Sequence, residues 1–342
     1  MKPPISIAMA TYNGSKYIQE QLESFLSQTY QPFELVVCDD CSTDNTVSII
    51  NEFSERCNFP VRVYVNDRNL GFSGNFLKCA SLCTAEWISF SDQDDVWLPE
   101  KLSIVASLIS SSQNEDLVLV THSAILANES LHSTGRKTPD YPEYKSVTQY
   151  KNYGFICIPG FTITFRAEIL DCINCNHRPR DYFDQSNPPM SHDKWIPLLA
   201  NIFGKIVYLP DTLAVYRRHD SALSGSYNTQ SRKDRIKKSL SVGFNFYNFQ
   251  ASAASQCADS LKVVAGEVTH SYRRAALLQG ANKYSRLSHI CKLRSEIYKS
   301  NSRIKKIKLI THLLFSGGYF GKKFTSYGYA AFAKDLFCSI KL

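Results

Sequence analysis

Residues 86–97 read Glu86-Trp87-Ile88-Ser89-Phe90-Ser91-Asp92-Gln93-Asp94-Asp95-Val96-Trp97. Three carboxylates fall within four residues at the end of an apolar run. In an extended chain, side chains at i and i+2 point to the same side, roughly 7 Å apart. Asp92 and Asp94 can therefore aim at one ion from one edge. A hard divalent cation takes carboxylate oxygens and is commonly shared with the phosphates of a substrate. The chemistry open to this stretch is thus a metal–diphosphate site. The alternative is a solvated acidic turn that caps the next helix. Pro99-Glu100-Lys101-Leu102 has the form of a helix start, and Asp95 would serve it as a cap.

The elements that must position these acids come from periodicity. The run Trp87-Ile88-Ser89-Phe90 predicts a buried strand, as do residues 5–10, 33–38 and 61–65. Between them lie helical patterns over residues 16–28 with Ser15 as cap, from the Asp44 region through 53, and over about 73–83. Strands alternating with helices predict a mostly parallel sheet covered on both faces, an α/β fold. The strand tips carry Thr11, Tyr12 and Asn13, then Asp39 and Asp40, then Asn66 and Asn69, then Asp92, Asp94 and Asp95. In a parallel sheet these tips share one edge, where ligands of open α/β sheets bind. No glycine fingerprint for a dinucleotide and no Walker loop is present. Paired aspartates also follow a strand in response-regulator domains, but here they follow the second strand and the larger cluster follows the fourth.

Farther along, residues 101–126 predict a helix and a strand, and 127–152 a polar loop over the site. Residues 160–165 alternate like a strand, and 171–190 are loop-like. Ser191 stands as cap before His192-Asp193-Lys194-Trp195, which opens a short helix. Residues 205–209 form a further strand, and Leu213-Ala214-Val215-Tyr216-Arg217-Arg218-His219 closes the unit. After a linker at 220–232 the patterns are helical: 231–240, 246–264, 271–300 and 303–315. This divides the chain into residues 1–220 and a basic helical region, 221–342.

Composition narrows the class. The 342 residues are 44% hydrophobic, ordinary for a globular protein. The 11 cysteines are odd in number and sit in apolar contexts, as reduced thiols of a cytosolic protein do. Cys172-x-x-Cys175 has half the spacing of a zinc site but no second pair nearby, which favours coincidence. Met1-Lys2-Pro3-Pro4 leads into a strand without a long apolar core, so no signal peptide is expected. No stretch reaches the roughly 18 apolar residues of a spanning helix. The expectation is a cytoplasmic protein, soluble or peripheral on the inner face of the membrane. The net charge of +8 divides unevenly: residues 1–220 carry −8 and residues 221–342 carry +16. Such a split predicts two parts with different partners.

Six motifs in this order resemble the inverting family-2 glycosyltransferases with the GT-A fold. They are Ala10-Thr11-Tyr12-Asn13-Gly14, Cys38-Asp39-Asp40-Cys41-Ser42-Thr43-Asp44, Asn69-Leu70-Gly71-Phe72, Ser91-Asp92-Gln93-Asp94-Asp95-Val96-Trp97, His192-Asp193-Lys194-Trp195 and Tyr216-Arg217-Arg218-His219. The resemblance spans residues 5–219. The forms S-D-Q-D-D, H-D-x-W and Y-R-x-H resemble the bacterial rhamnosyltransferase-like branch.

The resemblance implies roles. Thr11, Tyr12, Asn13, Asp39 and Asp40 correspond to contacts with the base and ribose, Tyr12 stacking on the ring or else packing the turn. Asn69 and Gly71 correspond to a loop near the nucleotide, Gly71 being otherwise a turn glycine. Asp92 and Asp94 correspond to the carboxylates that bind the metal, Mg2+ or Mn2+, and the diphosphate. Asp95 either orients sugar hydroxyls or caps a helix. His219 corresponds to a third metal ligand. Asp193 corresponds to the general base that takes the acceptor hydroxyl's proton, and is otherwise a first-turn acid favoured by the helix dipole. Trp195 stacks on a sugar or belongs to the core. Many family members have Glu-Asp where this chain has His192-Asp193, which leaves His192 without an assigned role.

The activity so implied is transfer of a sugar from a nucleotide-diphosphate sugar, dTDP-rhamnose first and a UDP-sugar second. The acceptor is a cell-surface polysaccharide or a lipid-linked glycan. Two other classes compete: a non-catalytic nucleotide- or glycan-binding module, which loss of Asp92, Asp94 or Asp193 would have suggested, and a nucleic-acid binder through the basic tail. The tail lacks a nucleic-acid motif, so nucleic acid is disfavoured. A sugar nucleotidyltransferase needs a glycine-rich loop after the first strand, and Thr11-Tyr12-Asn13 is not one. Within residues 303–323, Arg303, Lys305, Lys306, Lys308, Lys322 and Lys323 flank Ile304, Ile307, Leu309, Ile310, Leu313, Leu314 and Phe315. That pattern suits either an anionic membrane surface or packing of the apolar face on the catalytic domain with the lysines solvated.

Overall fold

The structure, a computed structural model, describes residues 2–111, 116–173, 177–186, 188–219, 241–321 and 324–340. The helix expected over 231–240, Cys175, Lys322 and Lys323 lie outside the described residues. The chain forms two compact units. The first holds Met1–Gln149, Cys157–Ile173 and Ser191–Leu223. The second holds Ser224–Leu342 together with Tyr150–Ile156 and Asn174–Met190.

In the first unit, β1 (Ile5–Thr11), β2 (Glu34–Asp39), β3 (Val61–Val65) and β4 (Trp87–Ser91) alternate with α1 (Ile18–Leu26), α2 (Thr46–Ser54) and α3 (Gly71–Ser81). The strands β1, β2 and β4 are almost wholly buried, as continuous apolar runs covered on both faces must be. Ile5, Ile7, Met9, Leu35, Val37 and Trp87 pack against Ile18, Leu22 and Phe25 of α1 and Ile50 and Phe53 of α2. There follow β5 (Val96–Trp97), α4 (Lys101–Ile109), β6 (Leu117–Ala127), β7 (Ser133–Lys137), β8 (Lys145–Val147), β9 (Thr164–Arg166), α5 (His192–Phe203) and β10 (Lys205–Arg217).

The sheet runs β3-β2-β1-β4-β9-β6-β10-β5, with β7 paired to β6 and β8 to β10. The pairs among β1, β2, β3 and β4 are parallel, as is β6 with β10; β9 and the short strands run antiparallel. From β1 the chain winds outward through β2 and β3, then returns to place β4 on the other side of β1. That reversal opens a crevice at the C-terminal ends of β1 and β4. Registers then fix the site: Met9 pairs Ser91, so residues 10–12 lie beside 92–94, and Thr11 pairs Asp39.

Several local expectations are corrected. Helix α1 begins at Ile18, because Gly14-to-Tyr17 forms a turn in which Tyr17 N donates to Gly14 O at 3.0 Å, and Ser15 does not cap it. Residues 160–162 form a 3-10 turn rather than a strand, and strand pairing starts only at Thr164. Thr162 Oγ1 bonds Pro159 O at 2.8 Å and closes that turn. The loop expected over 127–152 contains β7 and β8.

The second unit contains α6 (Phe244–Glu267), α7 (Ser271–Lys299), α8 (Arg303–Phe315) and α9 (Gly328–Ile340). The side of α6 that is buried reads Tyr247, Gln250, Ala251, Ala254, Cys257, Ala258 and Leu261, a stripe at three- and four-residue spacing. Its small residues let α7 approach closely, and Ser288 Oγ reaches Ala251 O at 2.6 Å. Ile290, Ile297, Ile310, Leu313 and Tyr319 form a second core. Helix α8 turns Lys306, Ile310 and Leu313 inward and leaves Ile304, Ile307 and Phe315 exposed. Ile310 and Leu313 enter the core of the helical unit itself, and Lys306, expected in solvent, is corrected to a buried position. No described helix is long and apolar enough to cross a membrane.

Candidate active site

The acidic tip of β4 is a cluster. One oxygen each of Asp92, Asp94 and Asp95 lie within 4.8 Å of one another. Like charges that close repel by about 3 kcal/mol per pair even at moderate screening. Asp92 is accordingly pushed up to about 7, by burial first and then by the charges of Asp94 and Asp193. Asp95 is raised well above the usual carboxylate range by burial and by its two neighbours. Asp95 Oδ2 is buried without a hydrogen-bond partner. A mutually repelling, oxygen-only donor set with an orphaned buried oxygen fits a hard divalent cation. His219 Nε2 lies 2.8 Å from Asp94 Oδ2, at the edge of this cluster.

Three further side chains hold this tip, and none was singled out for a role in the sequence. Arg217 is buried; its backbone N donates to Asp95 Oδ1 at 3.0 Å and its Nε to Asp94 O at 2.7 Å. Its Nη1 donates to Glu129 O at 2.8 Å, and its Nη2 pairs with Glu20. Lys101 is fully buried below the acids, with Nζ 2.8 Å from Phe161 O and 3.5 Å from the centre of the Trp97 ring. Burial pushes its ammonium well below the usual lysine range, while Asp95 and Asp92 pull the other way. Gln93 bridges to the first turn: Tyr12 N donates to its Oε1 at 2.9 Å, and its Nε2 donates to Tyr12 O at 3.0 Å. A Cβ at Gly14 would sit 2.2 Å from Gln93 Oε1, so a side chain there would displace the Gln93 amide from this bridge.

The β1 and β2 tips form the opposite wall. Tyr12 is 51% exposed and presents its ring to solvent. Asn13, at φ 48°, ties this wall together: its N donates to Ser42 Oγ at 2.8 Å and its Oδ1 accepts from Thr43 N at 2.9 Å. Thr11 and Asp39 are buried and pair with each other at 2.8 Å, and Ser42 takes the other Asp39 oxygen. Asp40 Oδ1 accepts from Asn66 Nδ2 and Leu70 N, both at 2.7 Å, which leaves Oδ2 unpaired among the described residues. Asn69 Nδ2 donates to Asp40 O at 3.2 Å and its Oδ1 accepts from Gly71 N at 2.9 Å. Gly71 has φ 73°, which explains the glycine.

Asp193 sits in the first turn of α5. Ser191 Oγ donates to its Oδ1, and the exposed Cys157 Sγ lies 3.7 Å from its Oδ2. The N-cap position is Ser191, yet its hydroxyl serves Asp193 instead of a backbone N–H. His192 is buried and stacked on Phe76 at 4.1 Å, and its N donates to Ser73 Oγ at 3.0 Å, so it anchors α5 to α3. Two roles are corrected. Trp195 is fully buried and has no face to offer a sugar; it is core. Asp95 is neither a sugar-facing residue nor the cap of α4: it is buried, and α4 begins after Glu100 with no side-chain cap.

Comparison with known proteins agrees with this geometry. The family model for glycosyl transferase family 2 matches residues 6–173. An uncharacterized protein of Mycobacterium tuberculosis is 28% identical over 236 residues, covering 67% of this chain and 63% of that protein. The dTDP-rhamnosyl transferase RfbG of Shigella flexneri is 31% identical over 167 residues, 47% of this chain and 55% of RfbG. The chain thus spans less than two thirds of the length of these relatives. Among solved structures, TarS 1–349 of S. aureus in complex with UDP-GlcNAc superposes with a TM-score of 0.52 at 18% identity, covering 93% of each chain. This likeness is one of fold: an α/β GT-A architecture with a mixed, mostly parallel sheet and a helical C-terminal region. The likeness to glycosyl transferase family 2 is carried by residues 6–173.

Proposed function

We propose that the chain transfers a sugar from a nucleotide-diphosphate sugar to a cell-surface polysaccharide or lipid-linked glycan, with inversion at the anomeric carbon, and that residues 1–220 carry the reaction. The observation behind this reading is the packing of three carboxylates within 4.8 Å at the sheet's switch point, beside a turn that exposes Tyr12. The nucleotide base stacks on Tyr12 and meets the free Oδ2 of Asp40, while Thr11, Asn13, Asp39, Asn69 and Gly71 shape that wall. Asp92, Asp94 and His219 would hold Mg2+ or Mn2+, which neutralises charge on the departing nucleoside diphosphate. Asp193 accepts the proton of the acceptor hydroxyl as its oxygen attacks the anomeric carbon from the face opposite the leaving group. The carbon–oxygen bond to the diphosphate breaks, and the diphosphate leaves with the electron pair. The charge of Asp193 is felt at Asp92, which supports its nearness to the diphosphate end of the site.

Similarity to a dTDP-rhamnosyl transferase supports dTDP-rhamnose as first donor; the UDP-GlcNAc complex of TarS keeps a UDP-sugar second. The exposed Ile304, Ile307 and Phe315 beside Arg303, Lys305 and Lys308 support attachment of the chain to an anionic membrane on its cytoplasmic face. The test is a panel of nucleotide sugars with Mg2+ or Mn2+, read as release of the nucleoside diphosphate. Asp193→Asn should lower kcat by orders of magnitude while donor affinity stays within about threefold. Full turnover in excess chelator, or equal loss of donor binding in Asp193→Asn, would sink the reading.

A further inference from the structure

The second unit holds a pocket of about 480 Å3 that the transfer reaction does not use. Pockets of roughly 300–1,000 Å3 take small ligands. Its lining is unusual in charge. Arg294 is buried and donates through Nε and Nη2 to Asp335, each at 2.8 Å. Its guanidinium is sandwiched between the rings of Tyr247 and Tyr327, 4.2 Å from each centroid. That pair is neutral. Lys334 is not. It is only 8% exposed, and its Nζ donates to Val242 O at 2.8 Å and Tyr247 Oη at 3.4 Å, both uncharged. Among the described residues no carboxylate pairs with it. A buried cation without an anion is costly. Burial and the nearby Arg294 both hold the Lys334 ammonium below the usual lysine range.

A second observation points the same way. Gln250 lines the pocket at 4% exposure; its Oε1 accepts from Tyr327 Oη at 3.1 Å. Its Nε2 has no hydrogen-bond partner among the described residues, and neither has Arg294 Nη1. Gln250 Nε2 and Arg294 Nη1 are thus open donors beside the pocket, and Arg294, Lys334 and Asp335 together carry one net positive charge. The rings of Tyr153 and Phe246 complete the lining. Aromatic rings beside donors suit the apolar face of a sugar ring carrying acceptors.

We propose that this pocket binds a saccharide with a single negative charge, a sugar carboxylate or a sugar phosphodiester, whose anion meets Lys334, Gln250 Nε2 and Arg294 Nη1. One charge is what the lining leaves unbalanced. The site lies within the helical unit, so its failure would leave the transfer reading intact.

The test is calorimetric titration of the full chain with glucuronate and, separately, with a methyl phosphodiester of glucose. Glucose and acetate serve as controls for ring and charge alone. Saturable binding of at least one monoanionic sugar is expected, with both controls about tenfold weaker or more. The tighter of the two anions identifies the source. A hydrogen bond to a charged group is worth about 1.5–3 kcal/mol, so Lys334→Met should weaken binding by about tenfold or more, and Gln250→Leu by about two- to tenfold. If Lys334→Met does not fold, Lys334→Arg should retain binding and Gln250→Leu decides. Binding of neither anion, equal binding of glucose, or unchanged affinity in the folded variants overturns the proposal.

Discussion

At the tip of β4 three carboxylates are held together with little to balance them, whereas in the helical unit one carboxylate is surrounded by partners. Asp335 is fully buried and accepts from Arg294 twice, and from the hydroxyls of Tyr298 and Tyr319. Asp95 is equally buried, yet one of its oxygens has no partner and its neighbours are other acids. A satisfied buried ion pair locks packing; an unsatisfied cluster of like charges stores repulsion that a cation can relieve. Burial alone therefore does not distinguish a structural acid from a functional one, but the set of partners does.

Removing one acid from each region breaks the comparison most directly. Asp94→Asn should lower transfer by about 10²–10³-fold, the usual cost of losing one group that stabilises developing charge, and leave the thermal midpoint unchanged or higher because repulsion falls. Asp335→Ala should do the reverse. It strands a buried guanidinium, at a cost of about 3–5 kcal/mol. Calorimetric unfolding and a transfer assay on both variants check this. A large loss of stability in Asp94→Asn would make that acid structural.

A change of pH sharpens the same contrast. Asp92 is raised from its ordinary range to about 7, so the folded state binds its proton more tightly than the unfolded chain does. Its contribution to stability is present at acid pH and is lost as pH rises through about 7. A cation that replaces the proton restores it. Mn2+ should therefore raise the thermal midpoint more at pH 8 than at pH 5.5. His219→Ala should shift the metal concentration for half-maximal activity upward at pH 8 without lowering the midpoint of the metal-free protein. An Mn2+ effect that is flat with pH would detach Asp92 from the cation.

The site's outline was legible in the sequence because each part sits where an apolar run stops. A buried strand ends at Thr11, at Asp39 and at Ser91, and the polar residues that follow have nowhere to go but the shared edge. The braces were not legible, since their partners are distant in sequence. Arg217 reaches Asp94 and Asp95 across more than 120 positions, and Gln93 reaches Tyr12 across 81. Lys101 had a signal that helix periodicity could have used: it opens α4 on the face that Leu102 and Val105 bury. Trp195 stands where the polar His192-Asp193-Lys194 meets the apolar Ile196-Pro197-Leu198, so the sequence left sugar stacking and core both open, and α5, buried along almost its whole length, turns the indole inward. Helix α9 was legible too, since Tyr329, Phe332, Leu336 and Ile340 recur at three- and four-residue spacing.

The smallest expected effect concerns α8, where the two ways of treating apolar surface meet on one helix. Ile310 and Leu313 enter the core of the helical unit, while Ile304 is 70% and Phe315 84% exposed. Lys305 bridges the surface Glu296, at 3.5 Å. Arg303, Lys305 and Lys308 near an anionic surface contribute about 1 kcal/mol each, so attachment should be weak and reversible. Co-sedimentation with vesicles of an anionic phospholipid should retain the chain at low salt, release it as salt rises, and fail with neutral vesicles. Replacing Ile304 and Phe315 by Asp should abolish retention with little change in stability, because neither side chain is packed. Retention that survives this double substitution, or that ignores salt, would place the lipid contact elsewhere or show that the exposed stripe has another partner.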